Sequence, residues 1–297
     1  MRNKGVLAAA GAYIAWGLLP VYWKALAQVP PLEILGHRMI WSLAVALVLL
    51  AVRREWHWLT QVKNRPVLLV RFVVTALLLS VNWFTYIWAT NNGHIVESSL
   101  GYFINPLINV LLGLLFLRER LRAGQWLAIG IALAGVSYLT LNVGGLLWIS
   151  FSLALSFGAY GLLRKTAPLG SLQGLTLEMA VLFVPALWYL LSLQRAGTGA
   201  FAQGDPLTTI LLIGAGIVTA GPLILFAYGA QRVTMTTLGI LQYMAPTLQF
   251  LLGVFVYREA FSTARLAGFA VIWLALAVYT GEGYLNRKRR QAQPASG

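Results

Sequence analysis

The stretch SSLGYFINPLINVLLGLLFLRE, Ser98–Glu119, returns in altered form as TTLGILQYMAPTLQFLLGVFVYRE, Thr236–Glu259. Pro106, Gly113, Arg118 and Glu119 recur at a spacing of 140 as Pro246, Gly253, Arg258 and Glu259. Ser98-Ser99-Leu100-Gly101 matches Thr236-Thr237-Leu238-Gly239 at 138, and Ala15-Trp16-Gly17-Leu18-Leu19 matches Ala159-Tyr160-Gly161-Leu162-Leu163 at 144. Apolar helices resemble one another by chance, but a proline, a glycine and an Arg-Glu pair in one order mark a duplicated unit.

Composition says what the unit is made of. The 297 residues are 59% hydrophobic and only 10% charged, with a mean hydropathy of +0.75. Soluble domains carry about 25% charged residues, and disordered chains are poor in apolar ones; both classes are excluded. A bilayer core of roughly 30 Å takes about 20 apolar residues per helix, so ten crossings use about 200 and leave only short connections. Apolar windows between charged or Gly/Pro-rich breaks give ten spans: Gly5–Trp23, Leu32–Val52, Leu68–Thr90, Ser98–Leu117, Ala123–Leu141, Leu146–Leu163, Gly174–Leu193, Thr208–Gly229, Thr236–Tyr257 and Thr263–Gly283. Gly5–Trp23 is read as a span because it is long and aromatic for a signal peptide, and Ala25–Pro31 lacks a cleavage site.

The expected fold is all-α and integral to the membrane. Ten transmembrane helices fall into two five-helix repeats, residues 1–142 and 143–284, with a basic tail over 285–297. Five is odd, so the second unit enters the membrane from the opposite side. Inverted repeats of this kind let secondary transporters expose one shared site to either side in turn.

With the N-terminus inside, 17 of the 22 Lys and Arg residues fall on the cytoplasmic side, and the external connections Asn91–Glu97 and Asn142–Gly145 hold none. Lys/Arg excess in short loops marks the cytoplasmic side, so both termini are placed there. This distribution accounts for the net charge of +14 without a nucleic-acid partner. The run Arg287-Lys288-Arg289-Arg290 suits anionic lipid headgroups. Cysteine is absent, which removes disulfides, thiolate catalysis and cysteine-ligated metals. His37, His57 and His94 are scattered without a metal-ligand spacing, and GAGIVTAG, Gly214–Gly221, misses the GxGxxG pattern inside an apolar span. No cofactor, metal or enzymatic activity is expected, and nucleotide hydrolysis within this chain cannot drive transport.

AYIAWGLLPVYWK (Ala12–Lys24), EILGHRMIWS (Glu33–Ser42), NWFTYIWATNN (Asn82–Asn92), ESSLGYFINPLIN (Glu97–Asn109) and LQYMAPTLQFLL (Leu241–Leu252) closely resemble the RarD proteins, bacterial members of the EamA group in the drug/metabolite transporter superfamily. The likeness runs over nearly the whole chain. It implies ten helices in two inverted repeats, an inner-membrane location, peripheral fifth and tenth spans, and transport of a small organic solute, often outward. Where relatives often place a glycine before the fourth-span glutamate, this chain has Leu117-Arg118, and Tyr257-Arg258 at the second copy.

Several residues are candidates for the transport path. A charged residue near a helix centre costs about 2.5–3.5 kcal/mol on insertion scales and needs a partner, a cavity or an interface. Arg38 either lines the external half of a cavity, ready for a carboxylate or phosphate, or snorkels outward to Glu33. His37 beside it titrates near neutral pH in its free state. Glu178 is the repeat counterpart of His37 at a spacing of 141; the two suit proton coupling, or else Glu178 pairs with Arg164 or Lys165. Lys24 is a cavity cation or a snorkelling helix end.

Tyr102, Asn105 and Asn109 share one helix face around Pro106, and Gln242 and Gln249 share another around Pro246. Proline frees a carbonyl four residues back, tolerable in a membrane where it faces protein or a wet cavity. These faces are read as cavity lining with Pro106 and Pro246 as hinges, against the alternative of interhelical glue. Asn82, Tyr86, Trp16 and Tyr160, with Tyr13, Pro20 and Phe157, would complete aromatic walls for an amphipathic solute. Trp23, Trp41, Trp56 and Trp58 are assigned to interfacial belts, and Gly124, Ala128 and Ala132 to packing or a homodimer contact. The expected function is a secondary transporter for an anionic or zwitterionic metabolite. A membrane scaffold and a lipid-modifying enzyme are the competing readings, separable by thiol labelling of introduced cysteines and by a lipid-turnover assay.

Overall fold

A computed structural model describes residues 2–92, 94–143, 147–203, 205–257 and 263–292. Arg258-Glu259 and Gly144-Gly145 lie outside the described residues, as do the side chains of Glu97–Ser99, Gly253 and Arg287–Arg290. The chain runs α1 (Arg2–Lys24), α2 (Pro31–Arg53), α3 (Trp58–Asn64), α4 (Pro66–Asn91), α5 (Ile95–Leu117), α6 (Ala123–Val143), α7 (Leu147–Lys165), α8 (Ser171–Arg195), α9 (Pro206–Ala230), α10 (Met235–Gln242), α11 (Met244–Leu251), a π-turn (Leu252–Val256) and α12 (Thr263–Ala292). Among the described residues, ten helical segments are long and apolar enough to cross a membrane, with α10, α11 and the π-turn together forming the ninth. Ten crossings bring the start of α1 and the end of α12 to one side, called terminal below; the other is distal.

Local chemistry sets the helix ends. Proline occupies the first turn of α2, α4 and α9, where its missing N–H costs nothing. Asp205 caps α9 by accepting from the Leu207 amide at 3.1 Å, and Thr234 caps α10 by accepting from the Thr237 amide at 3.1 Å. Apolar side chains then face both inward and outward: Leu141, Val52 and Phe255 are 84%, 76% and 74% exposed, the surface a bilayer would cover.

The helix pairings obey a twofold exchange of halves. α1 packs on α9 as α7 packs on α4, and α1 meets α10 and α11 as α7 meets α5. α2 with α8, α5 with α10 and α6 with α12 are pairs that map onto themselves. At the α5–α10 crossing, Gly239 lies on the Pro106 carbonyl; a Cβ there would sit 2.6 Å from that oxygen. The main core lies between the halves, with Tyr13, Met39, Leu79, Tyr160, Met179, Phe226 and Leu238 buried together.

The structure corrects several expectations. The second copy carries two more residues than the first between its Leu-Gly and its proline, hence the change of spacing from 138 to 140. They are absorbed by a break at Tyr243, which leaves Pro246 in the first turn of α11. Pro106 breaks nothing, and α5 is continuous through it. Gly124 packs against Glu282 of α12, while Ala128 and Ala132 are 0% exposed, so this stripe serves α6–α12 packing and is not free for a second chain. Trp58 is 3% exposed in a cluster with Leu50, Phe72 and Leu172; α3 tucks it under the helices instead of leaving it in a belt. α12 continues past the last apolar span to Ala292, so the start of the basic segment is helical.

Candidate functional site: a cavity between the repeats

A cavity of about 160 Å³ opens between the two halves, an order of magnitude above the roughly 10–15 Å³ one water needs. α1, α2, α4, α5, α7, α9, α10 and α11 all contribute to its wall. The lining runs from mid-depth, at Tyr13, Asn105, Phe157 and Gln242, to the distal ends of α1 and α4, at Trp23 and Tyr86. On the terminal side an aromatic layer closes it. Phe226 of α9 stacks on Tyr160 of α7 at 5.9 Å and 13°, and its ring centroid lies 5.2–6.1 Å from those of Phe157, Trp16 and Tyr13.

Arg38 is the one charged side chain among the described lining residues. Its Nε donates to Thr219 Oγ1 at 3.0 Å, and its guanidinium carbon lies 4.9 Å from the Trp23 ring and 4.7 Å from the Trp83 ring. Cation–π contact of this kind stabilises a partly desolvated guanidinium and holds its plane. The outward pairing with Glu33 does not occur. Glu33 instead accepts from the Ala200 and Phe201 amides, at 2.7 and 3.3 Å.

The polar residues form two bands. Asn82 Nδ2 donates to the Leu153 carbonyl and to Ser156 Oγ, at 2.9 and 3.1 Å. Asn105 Nδ2 donates to the Ala154 carbonyl at 2.8 Å, and Asn109 Nδ2 bridges Asn105 Oδ1 and Gln242 Oε1 at 3.0 and 2.9 Å. That chain ties α7, α5 and α10 across the repeats. Gln249 donates to the Trp16 carbonyl at 3.3 Å. The amides thus act both as lining and as interhelical glue.

Of the sequence-derived candidates, Trp16, Arg38, Asn82, Tyr86, Tyr102, Asn105, Gln242 and Gln249 line the cavity, with Pro246 and with Tyr13, Pro20 and Phe157 of the aromatic walls. Asn109 and Tyr160 lie in the layer behind it. Lys24 is exposed, its Nζ 3.5 Å from the centre of the Tyr257 ring. His37 turns away from the cavity: Trp41 Nε1 donates to its Nδ1 at 3.3 Å, and its ring stacks on Phe201 at 4.8 Å. Glu178 is 0% exposed, 3.7 Å from Arg164 Nε, and accepts from the Tyr160 hydroxyl at 3.3 Å. No residue of the seventh span, α8, is among the lining residues.

Trp23, Trp83, Thr219 and Leu223 line the cavity and were not foreseen. Trp83 adjoins Asn82, and Thr219 interrupts an apolar run; both signals were there to read. Trp23 looks like any tryptophan at a helix end, and only the position of Arg38 sets it apart.

The EamA-like transporter family model matches residues 3–141, the stretch from α1 to α6. Protein RarD of Streptomyces exfoliatus is 46% identical over 98% of this chain and 93% of its own. Protein RarD of Escherichia coli K12 is 41% identical over 97% of both chains. The chain belongs to the RarD family of EamA-like transporters. Another relative, from Bacillus subtilis 168 and described as the uncharacterized transporter YojE, is 45% identical over 94% of each chain. A solved crystal structure at 20% identity superposes with a TM-score of 0.73 over 94% of this chain and 98% of that one, which shows the shared fold. This RarD-family chain is thus a multi-pass membrane protein.

Proposed function

We propose that this chain is a secondary transporter that exports a small anionic or zwitterionic organic solute across the bacterial inner membrane by alternating access, with both termini in the cytoplasm. The observation that carries the reading is the cavity between the repeats, which reaches into the distal half and is bounded beneath by aromatic rings, with amides and one guanidinium in its wall. A solute at that depth touches helices of both halves, so a rocking of one half against the other moves the closure from one side to the other. Membership of a transporter family supports the class, and the Lys/Arg excess on the terminal side supports the orientation. Among the described residues no cluster that could hold a metal ion is found. The proposal assigns His37 and Glu178 to structure, since both are spent in contacts away from the lining.

The chain contains no cysteine, so single cysteines report cleanly. Asn105→Cys and Gln242→Cys are expected to react with a charged, membrane-impermeant thiol reagent from the distal side, and from the terminal side once solute is supplied there. Protection of both positions from both sides would overturn the transport reading and favour a scaffold.

A further inference from the structure

The two repeats treat their buried charge differently. In the second repeat, Glu178 of α8 meets Arg164 of α7 at 3.7 Å, both 0% exposed, and the Tyr160 hydroxyl donates to the same carboxylate at 3.3 Å. In the first repeat, Arg38 of α2 is bonded to Thr219 of α9. α2 corresponds to α8, so each half presents an ion on its second span. At the spacing of 144 that relates α1 to α7, Arg164 corresponds to Pro20. Pro20 is uncharged and lines the cavity. The second repeat neutralises its ion internally, whereas the first leaves its ion facing a cavity.

No described carboxylate is free to reach Arg38. Glu33 holds the Ala200 and Phe201 amides, Glu55 the Gln173 amide and Glu119 the Met235 and Thr236 amides. Glu178 holds Arg164, Asp205 caps α9 and Glu282 holds Arg122. An unpaired cation in a low-dielectric wall is costly and invites an anion. A guanidinium fork takes a carboxylate with two parallel hydrogen bonds. One cation offsets one negative charge and would leave a doubly charged phosphate half uncompensated. The rest of the wall is aromatic and aliphatic, with neutral amides and the hydroxyls of Tyr86, Tyr102 and Thr219, and it holds no described acid to receive an ammonium group.

Resting on the transport reading above, we infer that the solute is a singly charged organic carboxylate with an apolar, aromatic-compatible body, and that its carboxylate supplies the counter-ion that Arg38 lacks within the chain. The zwitterion drops out of the reading.

Isothermal titration of the purified full chain in detergent with phenylacetate, phenylalanine, phenylacetamide and phenyl phosphate tests the charge rule on one scaffold. Phenylacetate is expected to bind at least tenfold more tightly than the other three, and Arg38→Gln to lose that preference. Arg38→Lys keeps the charge without the fork and should fall between. Equal binding of the four probes, tighter binding of phenylalanine or phenyl phosphate, no binding of any, or an Arg38→Gln variant that keeps the preference would each overturn the inference.

Thermal melting without ligand supplies a second readout. Arg38→Met is expected to melt no lower than the wild type, because it removes an uncompensated charge; a loss as large as that of Arg164→Met would mean Arg38 is already satisfied and would sink the idea. Distal-side labelling at Asn105→Cys needs no solute, so it would still stand if only this inference failed.

Discussion

Adjacent residues on one helix do opposite things here. His37 and Arg38 are neighbours on α2, yet the imidazole stacks on Phe201 outside the cavity while the guanidinium lies between Trp23 and Trp83 inside it. The same contrast sets Glu178 apart from Arg38: the acid is buried with its counter-ion in the chain, whereas the guanidinium is half-buried at the cavity wall. Breaking such a pair by removing one partner costs about 3–5 kcal/mol, because the other charge is left in low dielectric. Arg164→Met is therefore expected to lower the melting temperature in detergent markedly, and adding Glu178→Gln to recover most of the loss. A double variant no better than the single would show that packing of Arg164 against Phe72, whose ring lies 5.5 Å from the guanidinium carbon, matters more than charge. Gly174 belongs to the same arrangement, since any Cβ there would overlap the Arg164 guanidinium.

At the scale of elements, the two copies of the fourth span of the repeat have diverged in shape. α5 runs unbroken through Pro106, whereas its copy divides at Tyr243 and ends in a π-turn. The start of that copy is anchored by the first repeat. Glu119, in the connection after α5, accepts from the Met235 amide at 2.6 Å, the Thr236 amide at 3.1 Å and the Thr236 hydroxyl at 2.7 Å. Free N–H groups at a helix start need such an acceptor, and an unmet hydrogen bond to a charged group costs roughly 1.5–3 kcal/mol. Glu119→Ala should destabilise the protein by about that much and increase hydrogen exchange at Met235 and Thr236 before exchange rises elsewhere. Uniform exchange across the chain would contradict a local cap. The Arg-Glu repeat pair that first marked the duplication thus includes a working helix cap at Glu119.

For the whole molecule, the cavity lies where two halves that pack around shared aromatic rings leave space beside them. Phe226 stands at the centre of that closure, 0% exposed and in ring contact with Tyr13, Trp16, Phe157 and Tyr160. Phe226→Ala removes the plug, with a cost of about 3–5 kcal/mol for a buried phenylalanine. It should let Asn105→Cys react from the terminal side without solute; unchanged labelling would place the closure elsewhere. Local regularities were enough to read the ten spans, the duplication and the polar faces of α5 and α10–α11, because hydropathy and helical periodicity act within single segments. They could not tell Trp23 from Trp41, remove Asn109 and Tyr160 from the lining, or decide between proton coupling and the Arg164 pairing for Glu178. Spacing fixes the angle between side chains on one helix, but the rotation of that helix against its neighbours is settled by packing among all of them. The sequence by itself determined a duplicated, ten-span membrane chain; which of its polar and aromatic faces enclose space was decided only when the two halves met.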